Sequence, residues 1–229
     1  APLHLKEIGL WWLGGGAPEE AKPMMEKAAA ACGSLPIGLH WYTWHEIPFD
    51  HSYPNYFPTK PGFAEAVRAL TSQGQVIMPY INGRLWDEDI PSFAETGILG
   101  ACKQPDGSVY TEVYGSQRRL SPMCPATQLW QDTVVDICHR LMDECGVNAI
   151  YLDQIGAAMP RLCFDAAHGH PLGGGSHWVD GYRVMLNRIK TEAVARTVAL
   201  TTENTAEPYM DTIDAYLAWV QRNDTDIPL

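Results

Sequence analysis

The chain has 229 residues, 46% of them hydrophobic and 19% charged, and a formal net charge of -11. That is ample apolar material for one packed core, which excludes intrinsic disorder. The acidic balance without any Lys/Arg cluster argues against nucleic acid as a partner, and no apolar run approaches the roughly 18 residues that span a bilayer.

Taken in order, strand-like and helix-like stretches alternate. Residues 8–13 form the first apolar run, closed by Gly14, Gly15 and Gly16, and an Ala-, Glu-, Lys- and Met-rich helical segment follows over 18–32. A second strand over 37–44 opens into a long aromatic and Pro-rich loop at about 45–62. Helical spacing over 63–72 leads to a third strand at 76–82. Between 87 and 125 the periodicity weakens, and residues 109–114 suggest a small hairpin; a connection of that length is usually functional or an inserted subdomain. Leu129, Val134, Ile137, Cys138 and Leu141 recur at three- and four-residue steps, so 125–145 reads as an amphipathic helix. A fourth strand ends at Asp153, and a second long loop covers about 157–177. The helix 178–195 then precedes a fifth strand over 198–204, and residues 215–220 read as a sixth.

This alternation implies an α/β chain with a parallel sheet and helical crossovers. The Gly14 to Gly16 run lacks the G-x-G-x-x-G spacing of a dinucleotide-binding sheet, which favours a (β/α)8 TIM-type barrel. About six strands are visible, so the chain is expected to hold part of a barrel, as a single unit over 1–229 belonging to a longer parent with further domains. The N-terminus shows neither a charged n-region nor an apolar h-region. The chain is expected to be soluble, with its compartment open and secretion or a periplasmic location both admissible. Six cysteines without a C-x-x-C pair read as mostly reduced and structural.

The chemistry centres on strand ends. Asp153 ends an apolar run bounded by glycines, Gly146 and Gly156, and active sites of such barrels sit at the C-terminal ends of the strands. An isolated strand-end Asp equally often caps a helix or bonds nearby backbone. Glu203 repeats the design on the next strand, however, so the two carboxylates are expected to face one pocket. Such a pair divides into nucleophile and general acid/base when its surroundings separate the two pKa values. A spacing of about 5 Å gives retention of configuration in glycoside hydrolysis, and about 6.5–9.5 Å gives inversion. Glu207 lies beyond the strand and has the weaker claim. Trp41, Tyr42, Trp44, Trp86 and Trp178 lie in or after strand-end loops; singly each fits core packing, but as a set they favour a sugar ring as substrate.

The runs His40 to His45, Pro48 to Asp50, Tyr56 to Pro58, Pro79 to Asp87, Ile150 to Gln154 and His168 to Pro171 resemble a bacterial family of glycoside-hydrolase-like barrels of unassigned substrate. That family is similar to the α-N-acetylgalactosaminidases that act on mucin-type glycans. The resemblance covers nearly the whole chain. It implies a retaining glycosidase of glycan degradation acting on an α-linked substrate, with Asp153 as nucleophile and Glu203 as acid/base. Residues expected to contact the sugar are His40, Trp41, Tyr42, His45, Asp50, Arg84, Trp86, Asp87, Gln154, His168, His170 and Asn204. No cofactor is implied, and the expected partner is carbohydrate, with neither nucleic acid nor membrane.

A rival reading comes from Cys163, Asp165, His168, His170 and His177, which crowd one loop and offer soft and imidazole ligands to a transition metal. Their spacing matches no standard metal signature, and a His-x-His pair also suits sugar hydroxyls. A metal-dependent hydrolase is thus the runner-up, and a noncatalytic carbohydrate-binding barrel is the third reading.

Overall fold

Six short apolar segments build one parallel sheet in the computed structural model, which describes residues 1–33, 35–204 and 206–218. A short helix α1 (Leu3–Lys6) precedes β1 (Leu10–Gly14), α2 (Pro18–Ala31), β2 (Ile37–Trp41), α3 (Phe63–Thr71) and β3 (Val76–Asn82). An insertion follows, with β4 (Leu85–Asp87), α4 (Pro91–Glu95), β5 (Glu112–Val113) and β6 (Arg119–Pro122). The main path resumes with α5 (Gln128–Arg140), β7 (Ala149–Asp153), α6 (His177–Ala195), β8 (Ala199–Glu203) and β9 (Ala215–Leu217). The order β1-β2-β3-β7-β8-β9 runs sequentially, so the strands make a half-barrel. Trp219 and Val220, at the end of the expected sixth strand, lie outside the described residues.

Strand alternation decides which side chains see the barrel interior. The register pairs Leu13 with His40, His40 with Met78, Tyr80 with Tyr151, and Tyr151 with Thr201. These residues form the inner face, where the Thr201 hydroxyl lies 3.1 Å from Met78 Sδ and the His40 ring is 4.2 Å from that of Tyr151. The other parity, with Leu39, Trp41, Ile77, Ile81, Ile150, Leu152 and Leu200, is fully buried under the helices. Trp41 meets Phe63 of α3 edge-on at 5.0 Å. β1 and β9 are the edges of the sheet. Between them lies a cavity of about 280 Å³ lined by Trp11, Leu13, His40, Met78 and Tyr216 among others.

Helices α5 and α6 share one anchor. The indole of Trp130 on α5 donates to Gly83 O at 3.1 Å, and the hydroxyl of Tyr182 on α6 reaches the same carbonyl at 3.5 Å. Thr127 caps α5 by accepting from Trp130 N, as an N-cap Thr does. The single helix expected over 125–145 is shorter: after Arg140 it widens into a π turn over Leu141–Cys145, closed by Gly146 in the left-handed region. The hairpin expected at 109–114 is a larger unit. Only Glu112–Val113 is strand there, and it joins an antiparallel sheet ordered β4-β6-β5. Among the described residues no helix is long and apolar enough to cross a membrane.

Gly181 shows how tightly α6 is seated. A Cβ there would stand 2.4 Å from the carbonyl carbon and oxygen of Pro125. An exposed helical Gly gains about 1 kcal/mol on replacement by Ala. Here the clash is with backbone, so Gly181→Ala is expected to cost roughly 1–3 kcal/mol, read as a fall in the urea midpoint.

Candidate active site

Asp153 and Glu203 end neighbouring parallel strands whose register runs through Leu152 and Thr202. They stand side by side on one cavity, close enough for the charge of Glu203 to act on Asp153. Both strand ends turn in the same way, because Gln154 and Asn204 are non-glycine residues with φ of 64° and 52°. Left-handed backbone at such residues costs free energy and collects at functional sites. The turn after β7 then crosses directly over the end of β8. A Cβ on Gly156 would lie 2.7 Å from Glu203 O, so only glycine permits this approach.

Two donors converge on one oxygen of Asp153. Tyr80 donates its hydroxyl to Oδ2 at 2.9 Å and Asn82 its amide at 3.3 Å. Asn82 is itself fixed, since its Oδ1 accepts from the backbone N–H groups of Arg84 and Leu85, both at 2.9 Å. Burial and the charge of Glu203 push the Asp153 carboxyl up to about 7, against the pull of Tyr80. The Tyr42 hydroxyl is raised to about 12 by burial and by the charges of Asp153 and Glu203.

The pair lies on a cavity of about 550 Å³ walled by Tyr42, Phe49, Tyr80 and Tyr114 and edged by Thr43, Asp50 and Gln154. Tyr80 stacks between Tyr42 at 5.3 Å and Tyr151 at 6.0 Å. Among the residues proposed from sequence, the cavity therefore gathers Asp153, Glu203, Tyr42, Asp50 and Gln154. His40 lies under its floor, fully buried against Tyr42 and Tyr151, and burial lowers its imidazole to about 4. Asn204 donates its backbone N–H to Leu217 O at the rim of β9.

The remaining sequence candidates are held elsewhere. Trp41 has the wrong strand parity and is walled under α3. His45 is buried with Nδ1 2.7 Å from Ile47 O. Trp86 packs on Trp130 with its indole 3.3 Å from Ser92 Oγ. Asp87 is fully buried, accepting from Ser52 N and paired with Arg118 at 3.0 Å, so it anchors the loop at 45–62. Arg84 is 1% exposed and grips Glu112 through two hydrogen bonds of 2.6 and 2.8 Å. His168 and His170 sit among cysteines outside the cavity lining. Of the other aromatics expected at strand ends, Trp44 is buried with its indole donating to Tyr80 O at 2.7 Å, and Trp178 packs on Tyr182.

Sequence reasoning passed over Tyr80, Asn82, Phe49, Tyr114 and Glu112. Parity alone would have found the first two, since Met78, Tyr80 and Asn82 share the inner face of β3.

Residues 1–227 match the model of a family described as a domain of unknown function, DUF6259. The chain belongs to that family. This DUF6259 chain is 38% identical over 214 residues to a Bacteroides thetaiotaomicron protein named a candidate glycoside hydrolase, covering 93% of the chain and 32% of that protein. A Monosiga brevicollis protein of similar name is 36% identical over 203 residues, with 80% and 17% covered. The chain thus spans about a third and about a sixth of the lengths of these relatives.

Among solved structures, the ligand-free α-N-acetylgalactosaminidase of Bifidobacterium bifidum superposes with a TM-score of 0.73 at 14% identity, covering 90% of this chain and 37% of that one. The α-galactosidase of Thermus thermophilus gives 0.69 at 14% identity, with 92% and 41% covered. A sulfoquinovosidase from E. rectale gives 0.68 at 14%, with 94% and 33% covered. These likenesses concern the fold: the six parallel strands of the DUF6259 chain match part of a TIM-type glycosidase barrel.

Proposed function

We propose that the chain carries the catalytic centre of a retaining glycoside hydrolase acting on an α-linked glycan, with Asp153 as nucleophile and Glu203 as acid/base. The observation that carries this reading is the electrostatically coupled carboxyl pair at two neighbouring strand ends under an aromatic cavity. Two neighbouring carboxyl groups that raise each other's pKa cannot both ionise readily, so the pair holds one proton. Tyr80 and Asn82 both donate to Asp153 Oδ2 and so support its anion, the form that attacks.

In the first step Asp153 attacks the anomeric carbon as the bond to the leaving oxygen breaks, and Glu203 gives that oxygen its proton. A water, deprotonated by Glu203, then displaces Asp153 and restores the pair. Tyr42, Phe49 and Tyr114 supply aromatic surface for a pyranose ring, and Asp50 and Gln154 supply hydrogen-bond partners for its hydroxyls. The names of the relatives and the α-configured substrates of the first two fold neighbours support this assignment. The exposed edges β1 and β9, separated by an apolar cavity, further suggest that the barrel is completed by strands of a longer parent.

The test is hydrolysis of aryl α- and β-glycosides, including N-acetylgalactosaminide and galactoside, by the full-length protein beside Asp153→Asn and Glu203→Gln. Turnover lost in both variants supports the pair. Sugar binding without turnover, unchanged by either substitution, would favour a binding barrel instead.

Tyr80→Phe removes one donor from Asp153 and leaves the ring in place. The anion is then less favoured and the pKa of Asp153 rises. The acidic limb of the kcat/KM profile is expected to move to higher pH, with roughly a 10- to 100-fold loss near the original optimum.

A further inference from the structure

Two stretches far apart in sequence bring thiols and imidazoles together in a cluster outside the cavity lining. Cys124 follows β6, and Cys163, His168 and His170 belong to the loop between β7 and α6; one ligating atom from each lies within 4.8 Å of all the others. Cys163 Sγ is 3.3 Å from His168 Nδ1, and Cys124 Sγ is 3.4 Å from His170 Nε2. A tetrahedral zinc ion, with bonds of about 2.3 Å to sulfur and about 2.0 Å to nitrogen, sets its ligands roughly 3.3–3.8 Å apart. Two sulfur–nitrogen pairs already stand at that separation.

The outer ring nitrogens agree. His168 Nε2 is 3.0 Å from Leu99 O and His170 Nδ1 is 2.8 Å from Pro171 O. A carbonyl only accepts, so each of these nitrogens carries the ring proton. The opposite nitrogen of each ring therefore turns a lone pair toward the sulfurs, the arrangement that orients a metal-bound His. His177 stacks on His170 at 3.9 Å and holds its plane. Three of the four groups are buried.

We propose that Cys124, Cys163, His168 and His170 form a structural zinc site. Four protein ligands fill a tetrahedral sphere and leave no open position for a reactive water, so the site braces the fold and takes no part in hydrolysis. What it would brace is the rim of the cavity. Cys163 and Gly173 exchange backbone hydrogen bonds of 3.0 and 2.7 Å, and Phe164 N donates to Lys103 O in the insertion at 2.9 Å. Two residues before Cys163, Arg161 donates to Glu112 on β5, close to the cavity-lining Tyr114. Cys102 is a further buried thiol outside the four. The site rests on ligand geometry alone and is independent of the glycosidase reading.

The experiment is metal content by mass spectrometry of the full-length protein purified without chelator. About one zinc per chain is expected, lost in Cys124→Ser and His170→Ala and kept in Cys102→Ser and in the remote control Cys32→Ser. Because a ligand variant can fail to fold, cobalt(II) exchanged into the unaltered protein supplies the second readout: thiolate-to-cobalt charge-transfer bands with intense tetrahedral absorption are expected. A folded protein free of zinc, zinc retained by Cys124→Ser, cobalt without thiolate bands, or a mass short by two hydrogens from a disulfide in the cluster would each overturn the proposal.

Discussion

Asp153→Asn is expected to lower hydrolysis roughly 10⁴-fold or more while raising the thermal midpoint at neutral pH. The loss follows because an amide neither attacks the anomeric carbon nor leaves from it. The gain follows from linkage. Burial and the charge of Glu203 raise the Asp153 carboxyl to about 7, whereas an unfolded Asp titrates near about 4. Across that window the folded carboxyl pair holds a proton that the unfolded chain has released, so the pair's contribution to stability is complete below about 4 and lost as pH rises through about 7. Asn carries no such dependence. Its carbonyl oxygen still accepts from Tyr80 and Asn82, so the local hydrogen bonds survive. The difference in midpoint between variant and parent is therefore expected to be small at pH 4 and to grow by several degrees toward pH 8, followed by calorimetry. A difference that shrinks with pH would mean that the carboxyl pair holds no shared proton in the native state.

Arg84→Met is expected to be the most destabilising single change near the site. Arg84 and Glu112 are buried, with side chains 2% and 10% exposed. Glu112 also accepts from Arg161 at 2.6 Å and from the Tyr114 hydroxyl at 2.6 Å. Burial pushes the Glu112 carboxyl up, but the hydrogen bonds and charge of Arg84, with Tyr114 and Arg161, outweigh it and hold the group at about 2. Removing Arg84 leaves Glu112 with only the half-exposed Arg161 and Tyr114 as partners, so the loss is expected at the lower end of the about 3–5 kcal/mol that breaking a buried pair costs. Arg84→Met combined with Glu112→Leu removes both charges and is expected to recover much of that loss, which a double-mutant cycle in urea measures. The pH dependence has the opposite sign to that of Asp153. A depressed carboxyl contributes stability above its unfolded value near about 4.3, and that contribution is lost as pH falls toward 2.

The half-barrel was legible because its signals are local. β3 spans Val76–Asn82 as the apolar run indicated, and the carboxylates that end β7 and β8 are visible as abrupt stops to hydrophobic stretches. Parity was available and underused. His40 and Tyr42 share a face, so Trp41 between them turns outward to α3, and the same period brings Tyr80 and Asn82 inward to Asp153. Aromatic type alone did not distinguish Trp41 from Tyr42.

The insertion was not legible because its pairing is remote. β4 pairs with β6 more than thirty residues on, as Trp86 faces Ser121, and the strands are only two to four residues long. No periodicity develops over so short a span, so nothing local showed that Glu112 would meet Arg84. The cysteines pose the same problem: Cys124 lies in another part of the chain from Cys163, and only the folded insertion joins them. The loop histidines therefore read as sugar ligands or as an incomplete metal set.

The most direct measurement is trapping of the intermediate in the full-length protein with a 2-fluoro glycoside of whichever α-sugar the panel shows to be turned over. Digestion and mass spectrometry then locate the sugar. A label on the peptide containing Asp153, absent from Asp153→Asn and still formed by Glu203→Gln when a leaving group needing no proton is used, is the predicted result. A label on Glu203 would exchange the two roles, and brisk turnover without any covalent label, giving product of inverted configuration, would contradict the nucleophilic role of Asp153 outright.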